Sequence, residues 1–168
     1  MENLGKERTL VLIKPEGVKR QLIGKIITRF EDAGLKIVAM KMLQTSEELA
    51  GKHYRQDIAD KHGEEVRNTL LKHIRDGPII AIILEGVDGI AVTRKMVGST
   101  YPNESPAGTI RGDFGHVSKQ FANAKGISVK NFIHASADQD DAKIEIPLWF
   151  EESEIHSYKT AHDAICLE

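Results

Sequence analysis

The sequence predicts an α+β fold: a four-stranded antiparallel sheet with helices packed on it, a ferredoxin-like two-layer sandwich. Three observations carry that expectation. Strand-like and helix-like segments alternate as β, α, β, α, β, α, β, α, and four segments read as strands. No repeat, low-complexity tract or linker divides the 168 residues, so one core is expected in a single domain spanning 1–168. A small doubly wound sheet shares this element order, and the pattern alone leaves it open.

The first strand is TLVLIK (9–14), β-prone and alternating, and Pro15 ends it because proline brings no N–H to the ladder. Ile23, Ile26, Ile27 and Phe30 then recur at helical spacing, with a stop near Gly34. LKIVAMKML (35–43) alternates as a strand with one better-buried face. Ser46 before Glu47 and Glu48 opens a helix, the acids favoured by the positive end of its dipole. A further helix is expected over 62–75, stopped by Gly77-Pro78. IIAIILEG (79–86) is apolar on both faces, as a fully buried strand requires. Asp88 is expected to cap a short helix over 90–98. VKNFIHAS (129–136) is the fourth strand, and DDAKIEIPLWF (140–150) begins as a helix.

Charge and composition exclude several function classes. A net charge of −2 and a pI near 6.4 argue against a general nucleic-acid binder, which carries a clustered basic face. The longest apolar run, IIAIIL (79–84), is far short of a membrane span. One cysteine, Cys166, excludes an internal disulfide framework and suits a reducing cytoplasm.

The common phosphate loops are absent. Six residues separate Gly17 from Gly24-Lys25 where a Walker loop has four, and Ile26 stands in for the metal-binding hydroxyl. No G-x-G-x-x-G follows a strand. A nucleotide would therefore be held by side chains. PAGTIRGDF (106–114), with Arg94 to Thr100 before it, supplies them: Arg94, Thr100, Thr109 and Arg111 are donors suited to phosphate oxygens. The guanidinium fork pairs two oxygens at once. Gly98, Gly108 and Gly112 are expected to let backbone approach a ligand. Lys14 ends the first strand on the side where α/β sheets take ligands. His134 also ends a strand, and Glu145 follows in the next helix, where a carboxylate can hold one ring nitrogen while the other attacks. Any one of seven histidines, taken blind, is most often structural.

Together the blocks KPEGV (14–18), His53-Tyr54, Arg94 through Gly98 to Thr100, PAGTIRGDF (106–114), NFIHAS (131–136) and EIPLWF (145–150) resemble the nucleoside diphosphate kinase family, in its order and over nearly the whole chain. The resemblance implies ping-pong transfer of the γ-phosphoryl group of a nucleoside triphosphate, typically ATP, to a nucleoside diphosphate through a phosphohistidine on His134. It implies that Arg94, Thr100 and Arg111 hold phosphates, that Lys14 contacts ribose and phosphates, and that Asn131 binds ribose. Tyr54 and Glu145 would position the histidine, and Ser136 would support the glutamate. Mg2+ would be held mainly by nucleotide phosphates rather than by a protein metal site, with Asp138 assisting through water. Nucleoside di- and triphosphates are the expected partners, in a cytoplasmic homo-oligomer with neither nucleic acid nor membrane. The alternative is a catalytically silent nucleotide-binding or phosphohistidine signalling module.

Two departures stand out. DIADKHGEEVRNTL lacks the aromatic residue that stacks on the base in typical members; Val66, Ile58 and His62 are the candidates in its place. The segment 115–130 forms an extended loop, with a helix-like stretch from Ser118 to Ala124 ended by Lys125-Gly126.

Overall fold

Pro15 closes the first strand and opens the first helix. The computed structural model describes residues 5–167. Strand β1 (Lys6–Ile13) stops two residues before Pro15, which occupies the first turn of α1 (Pro15–Lys19), where its missing N–H leaves no bond unmade. Helix α2 (Ile23–Asp32) follows, then β2 (Lys36–Gln44), α3 (Glu47–His53), α4 (Gln56–His62), α5 (Glu64–Ile74) and β3 (Pro78–Val87). The second half runs α6 (Gly89–Val97), α7 (Ile110–Phe114), α8 (Lys119–Lys125), β4 (Ile133–Ala135) and α9 (Gln139–Trp149).

The strands form one antiparallel sheet in the order β2-β3-β1-β4, the ferredoxin-like arrangement. Its two central strands are the two with the longest buried runs, because each must face a core on both sides. Val11, Ile13, Ile80, Ile82 and Leu84 pack beneath Ile26 and Phe30 of α2 and Val97 of α6. On the opposite face Leu10, Leu12, Ile79, Ala81 and Ile83 meet Ala50, Ile74 and Trp149 from α3, α5 and α9. Among the described residues no helix is long and apolar enough to cross a membrane.

Three local expectations need correction. The β2 register shifts between Ile37 and Ala39, so Val38 and Ala39 are both buried and simple alternation resumes only beyond them. Asp88 precedes α6 but makes no side-chain cap: its backbone is left-handed (φ 49°), whereas a capping side chain needs an extended residue. The Glu7 carboxylate accepts the Ile90 amide instead, at 3.1 Å. The fourth strand is shorter than VKNFIHAS, because Phe132 is left-handed (φ 68°) and only Ile133–Ala135 join the ladder. Elsewhere the local chemistry behaves as read. Ser46 caps α3, Ser118 caps α8, and Gly126 ends α8 at φ 60°.

Candidate active site

Strand β4 is an edge strand, and it presents His134 opposite Leu12 of β1. The ring is half-buried, with Nε2 2.9 Å from Glu145 Oε1 and 3.0 Å from Oε2. A carboxylate only accepts, so Nε2 carries a proton, and in the neutral tautomer this leaves the lone pair on Nδ1. Nδ1 carries no hydrogen bond among the described residues. Ser136 Oγ donates to Glu145 Oε2 at 2.6 Å and itself accepts the Leu10 amide at 3.2 Å, which ties the carboxylate to the central strand. Burial pushes the Glu145 carboxyl up, but His134, His53 and the Ser136 hydroxyl outweigh it and hold the group at about 2.

The cationic residues converge on the same edge. Arg111 is buried: one nitrogen donates to Ile133 O at 2.7 Å, the other to Ser99 O at 3.0 Å and Gly98 O at 3.2 Å. Burial, helped by Arg94, lowers Arg111 to about 10. Arg94 is exposed and reaches Ala135 O at 3.4 Å, one residue from His134. Lys14 Nζ donates to Asn131 Oδ1 at 2.7 Å, and Asn131 Nδ2 donates to Thr100 O at 2.9 Å. Burial lowers the Lys14 ammonium to about 8, against the opposing charge of Glu16. The predicted residues Lys14, Arg94, Thr100, Arg111, Asn131, His134, Ser136 and Glu145 are thus linked through β4 and its flanks.

Some expectations land differently. Thr109 caps α7, accepting from Gly112 N and donating to Pro106 O at 2.7 Å, so its hydroxyl serves the loop. A Cβ on Gly98 would meet Thr109 Oγ1 at 2.7 Å, and one on Gly112 would meet Pro106 O at 2.2 Å. These two glycines admit the chain's own atoms rather than a ligand's. Asp138 accepts the Asp141 amide at Oδ1 as the cap of α9. Val66 is exposed on α5, His62 is exposed on α4, and Ile58 is half-buried there.

Tyr54 is buried and touches the site through its neighbour His53, which the sequence places in a family block without assigning it a role. His53 lies edge-on to Tyr54, His134 and Trp149, with centroids 4.7, 4.6 and 5.5 Å away. Its Nδ1 accepts from Trp149 Nε1 at 3.3 Å. Burial drives the His53 ring down to about 3, so it stands neutral against His134. Burial pushes the Tyr54 phenol up. Glu16 and His73 were also missed as site neighbours. They meet at 2.7 Å, and Glu16 Oε1 accepts the Phe132 amide.

His53, His134 and Glu145 bring donor atoms within 4.8 Å of one another, the one such group among the described residues. His53 Nδ1 takes the Trp149 N–H and the Glu145 carboxylate takes His134 Nε2 and the Ser136 hydroxyl, so the group is held as a hydrogen-bond cluster in which the buried His53 Nε2 has no partner. The arrangement offers a free imidazole nitrogen beside fixed cations, suited to moving an anionic group.

The nucleoside diphosphate kinase family model matches residues 7–155. A nucleoside diphosphate kinase of Borreliella burgdorferi is 49% identical over 154 residues, covering 91% of this chain and 92% of its own. A solved transition-state mimic of the nucleoside-diphosphate kinase from Borrelia burgdorferi, with bound vanadate and ADP, superposes with a TM-score of 0.93 at 47% identity, over 95% of this chain and 96% of that one. An NDP kinase from Pyrobaculum aerophilum gives 0.85 at 34% identity, over 90% and 100%. The fold is that of a family of phosphotransferases. The chain belongs to the nucleoside diphosphate kinase family, enzymes that pass the terminal phosphoryl group of a nucleoside triphosphate to a nucleoside diphosphate.

Proposed function

We propose that His134 Nδ1 is the nucleophile of a two-step phosphoryl transfer. In the first step Nδ1 forms a bond to the γ-phosphorus, the bond from that phosphorus to the bridging oxygen breaks, and the diphosphate leaves with that oxygen. In the second step a β-phosphate oxygen of an incoming diphosphate takes the group, and the P–N bond breaks. Glu145 keeps the Nε2 proton in place and offsets the positive charge the ring gains as Nδ1 bonds phosphorus. Ser136 holds that carboxylate still, and Tyr54 closes the site behind the rings.

Arg94, Arg111 and Thr100 bind the transferred and leaving phosphates, Lys14 contacts the ribose and the adjoining phosphates, and Asn131 binds the ribose. The family works with a divalent cation; we take it to be Mg2+. The donor set fits an ion that arrives on the nucleotide, since Glu145 and Asp138 are engaged in protein hydrogen bonds. Bound there, it would neutralise charge on the phosphates. Such a site reads the triphosphate handle common to all donors, so broad base specificity follows. We also read the chain as one domain over 1–168 that works as a cytoplasmic homo-oligomer.

The observation that carries this reading is the free Nδ1 of a ring held at Nε2. The vanadate and ADP bound by the Borrelia burgdorferi relative support it, as vanadate mimics a phosphoryl group in flight with the diphosphate beside it. The test is incubation with γ-labelled ATP and no acceptor. Acid-labile label is expected on His134, released as triphosphate when GDP is added, with parallel double-reciprocal lines in the steady state. Absence of that adduct would sink the proposal.

A further inference from the structure

Glu16, His73 and Ser128 form a hydrogen-bond chain that none of the roles above uses. His73 lies in α5 with its side chain 3% exposed. Its Nε2 is 2.7 Å from Glu16 Oε2, and its Nδ1 is 3.0 Å from Ser128 Oγ. The carboxylate only accepts, so Nε2 carries a proton; the neutral ring then takes the Ser128 hydroxyl proton at Nδ1. Glu16 Oε1, the other carboxylate oxygen, accepts the backbone N–H of Phe132 at 2.9 Å. The chain therefore runs from the long 115–130 loop, through α5 and α1, to the segment just before His134.

Its end point is one of three non-glycine residues with positive φ among those described. Phe132 sits at φ 68°, a conformation that a bulky side chain keeps only where its surroundings impose it. The imposition is visible. Lys14 N donates to Phe132 O at 2.8 Å while Glu16 accepts from Phe132 N, so the turn from β1 into α1 grips this residue by both backbone groups. Asn131, bonded to Lys14 Nζ, precedes it, and His134 follows two residues on. A rotation at Phe132 moves those two side chains relative to each other.

Partial burial pushes the Glu16 carboxyl up, yet the His73 hydrogen bond and the Lys14 charge hold it down at about 2. An ionised oxygen holds the Phe132 amide more firmly than a protonated acid would. We propose that His73 is a positioning residue for phosphoryl transfer: by orienting Glu16 against the Phe132 amide it sets Asn131 and His134 in register, and Ser128 brings the long loop into the same device. The inference rests on His134 being the phosphoryl acceptor.

The test measures the single-turnover rate of His134 labelling by ATP alone, together with the KM for ATP. His73→Phe fills the same space without either hydrogen bond. It should slow labelling by about tenfold or more with KM within about threefold, as misplaced reacting groups do. His73→Gln, which keeps an N–H for Glu16, should recover most of the rate, and Ser128→Ala should lose severalfold. Combining His73→Phe with Glu16→Gln should cost no more than the worse single change, because the two residues act as one unit. Equal losses in the Phe and Gln variants, or additive losses in the double variant, would overturn the proposal. Should the Phe variant fail to fold, wild-type labelling rates in both His73→Gln and Ser128→Ala would overturn it as well. A wild-type chain that takes no label sinks the functional reading and this inference with it, whereas a labelled wild type with unaffected variants sinks this inference alone.

Discussion

Lys14 and Asn131 hold each other across the end of β1, Nζ to Oδ1 at 2.7 Å, with both side chains buried. Burial, with Arg111 and Lys130 pressing the same way against Glu16, leaves the ammonium titrating at about 8. The free enzyme therefore sheds this positive charge as pH passes 8. Bound phosphates favour the charged form, so the complex keeps it to higher pH. The expected outcome is a fall in kcat/KM of up to about tenfold per pH unit above 8, while kcat stays flat further into base. Lys14→Gln should lower kcat/KM throughout and remove the bend. A bend that persists in that variant belongs to another group.

Glu145 serves two donors, His134 Nε2 and Ser136 Oγ. Glu145→Gln keeps the shape and an acceptor but removes the charge that offsets the ring's positive charge. Phosphorylation of His134 should slow by about 10² or more, the lower range for a positioned acid–base partner, with little change in KM. Ser136→Ala removes one bond to a half-buried carboxylate and strands the buried Leu10 amide; a stability loss of about 1–3 kcal/mol is expected by denaturant titration. Wild-type single-turnover rates in Glu145→Gln would remove the carboxylate from the mechanism.

What could be read from the sequence, and what could not, divides along physical lines. IIAIIL declared a strand buried on both faces, and β3 is central. Ser46 and Ser118 declared helix starts, because a capping side chain acts on amides within its own turn. His134 and Glu145 are legible as a strand-end ring with a carboxylate in the next helix, and the resemblance that spans their blocks adds Ser136. The left-handed backbone at Phe132 left no trace, since no glycine or asparagine marks it. It shortened β4. The register shift at Val38 was equally silent, and it put two successive residues indoors where alternation allowed one. His53 meets His134, and His73 meets Glu16 and Ser128, only once distant segments are folded together. A hydrogen-bond chain across three elements has no spacing to recognise.

His53 makes the stability of the protein pH dependent. Its folded value, about 3, lies below the ordinary histidine value of 6.5 because burial disfavours the charged ring. Between those values the unfolded chain binds the proton and the folded chain does not. Its contribution is therefore complete above 6.5 and is lost as pH falls toward 3, at up to about 1.4 kcal/mol per pH unit. His73, also lowered chiefly by burial, adds in the same sense. Between pH 6.5 and 4.5 the lowered carboxylates Glu16 and Glu145 remain ionised in both states for most of the range, so the histidines dominate the slope. Urea titrations across that range should show stability falling with acid, and His53→Gln should flatten the dependence. An unchanged slope in that variant would assign the loss to other groups.

Gly112 has the tightest surroundings of the loop that carries Arg111. A Cβ there would stand 2.2 Å from Pro106 O and 2.7 Å from Ser105 O, both backbone atoms that cannot swing aside. Gly112→Ala must therefore push the 105–106 turn away from α7 and pull at the Thr109 cap, whose hydroxyl holds the Gly112 amide at 3.1 Å. Overpacking of this kind costs about 1–3 kcal/mol, which lowers Tm by roughly 2–12 °C in a chain of this size. Arg111, the next residue back, is fixed by bonds to Gly98 O, Ser99 O and Ile133 O, so a displaced α7 also misdirects the guanidinium proposed to bind phosphate. KM for nucleotides should rise together with the fall in Tm. Gly24→Ala is the control: a Cβ there meets nothing within 4 Å, and the residue lies in α2, where alanine is the better helix former. It should leave KM unchanged and Tm level or slightly raised, so a Gly112→Ala protein that melts and binds like this control would refute the close approach.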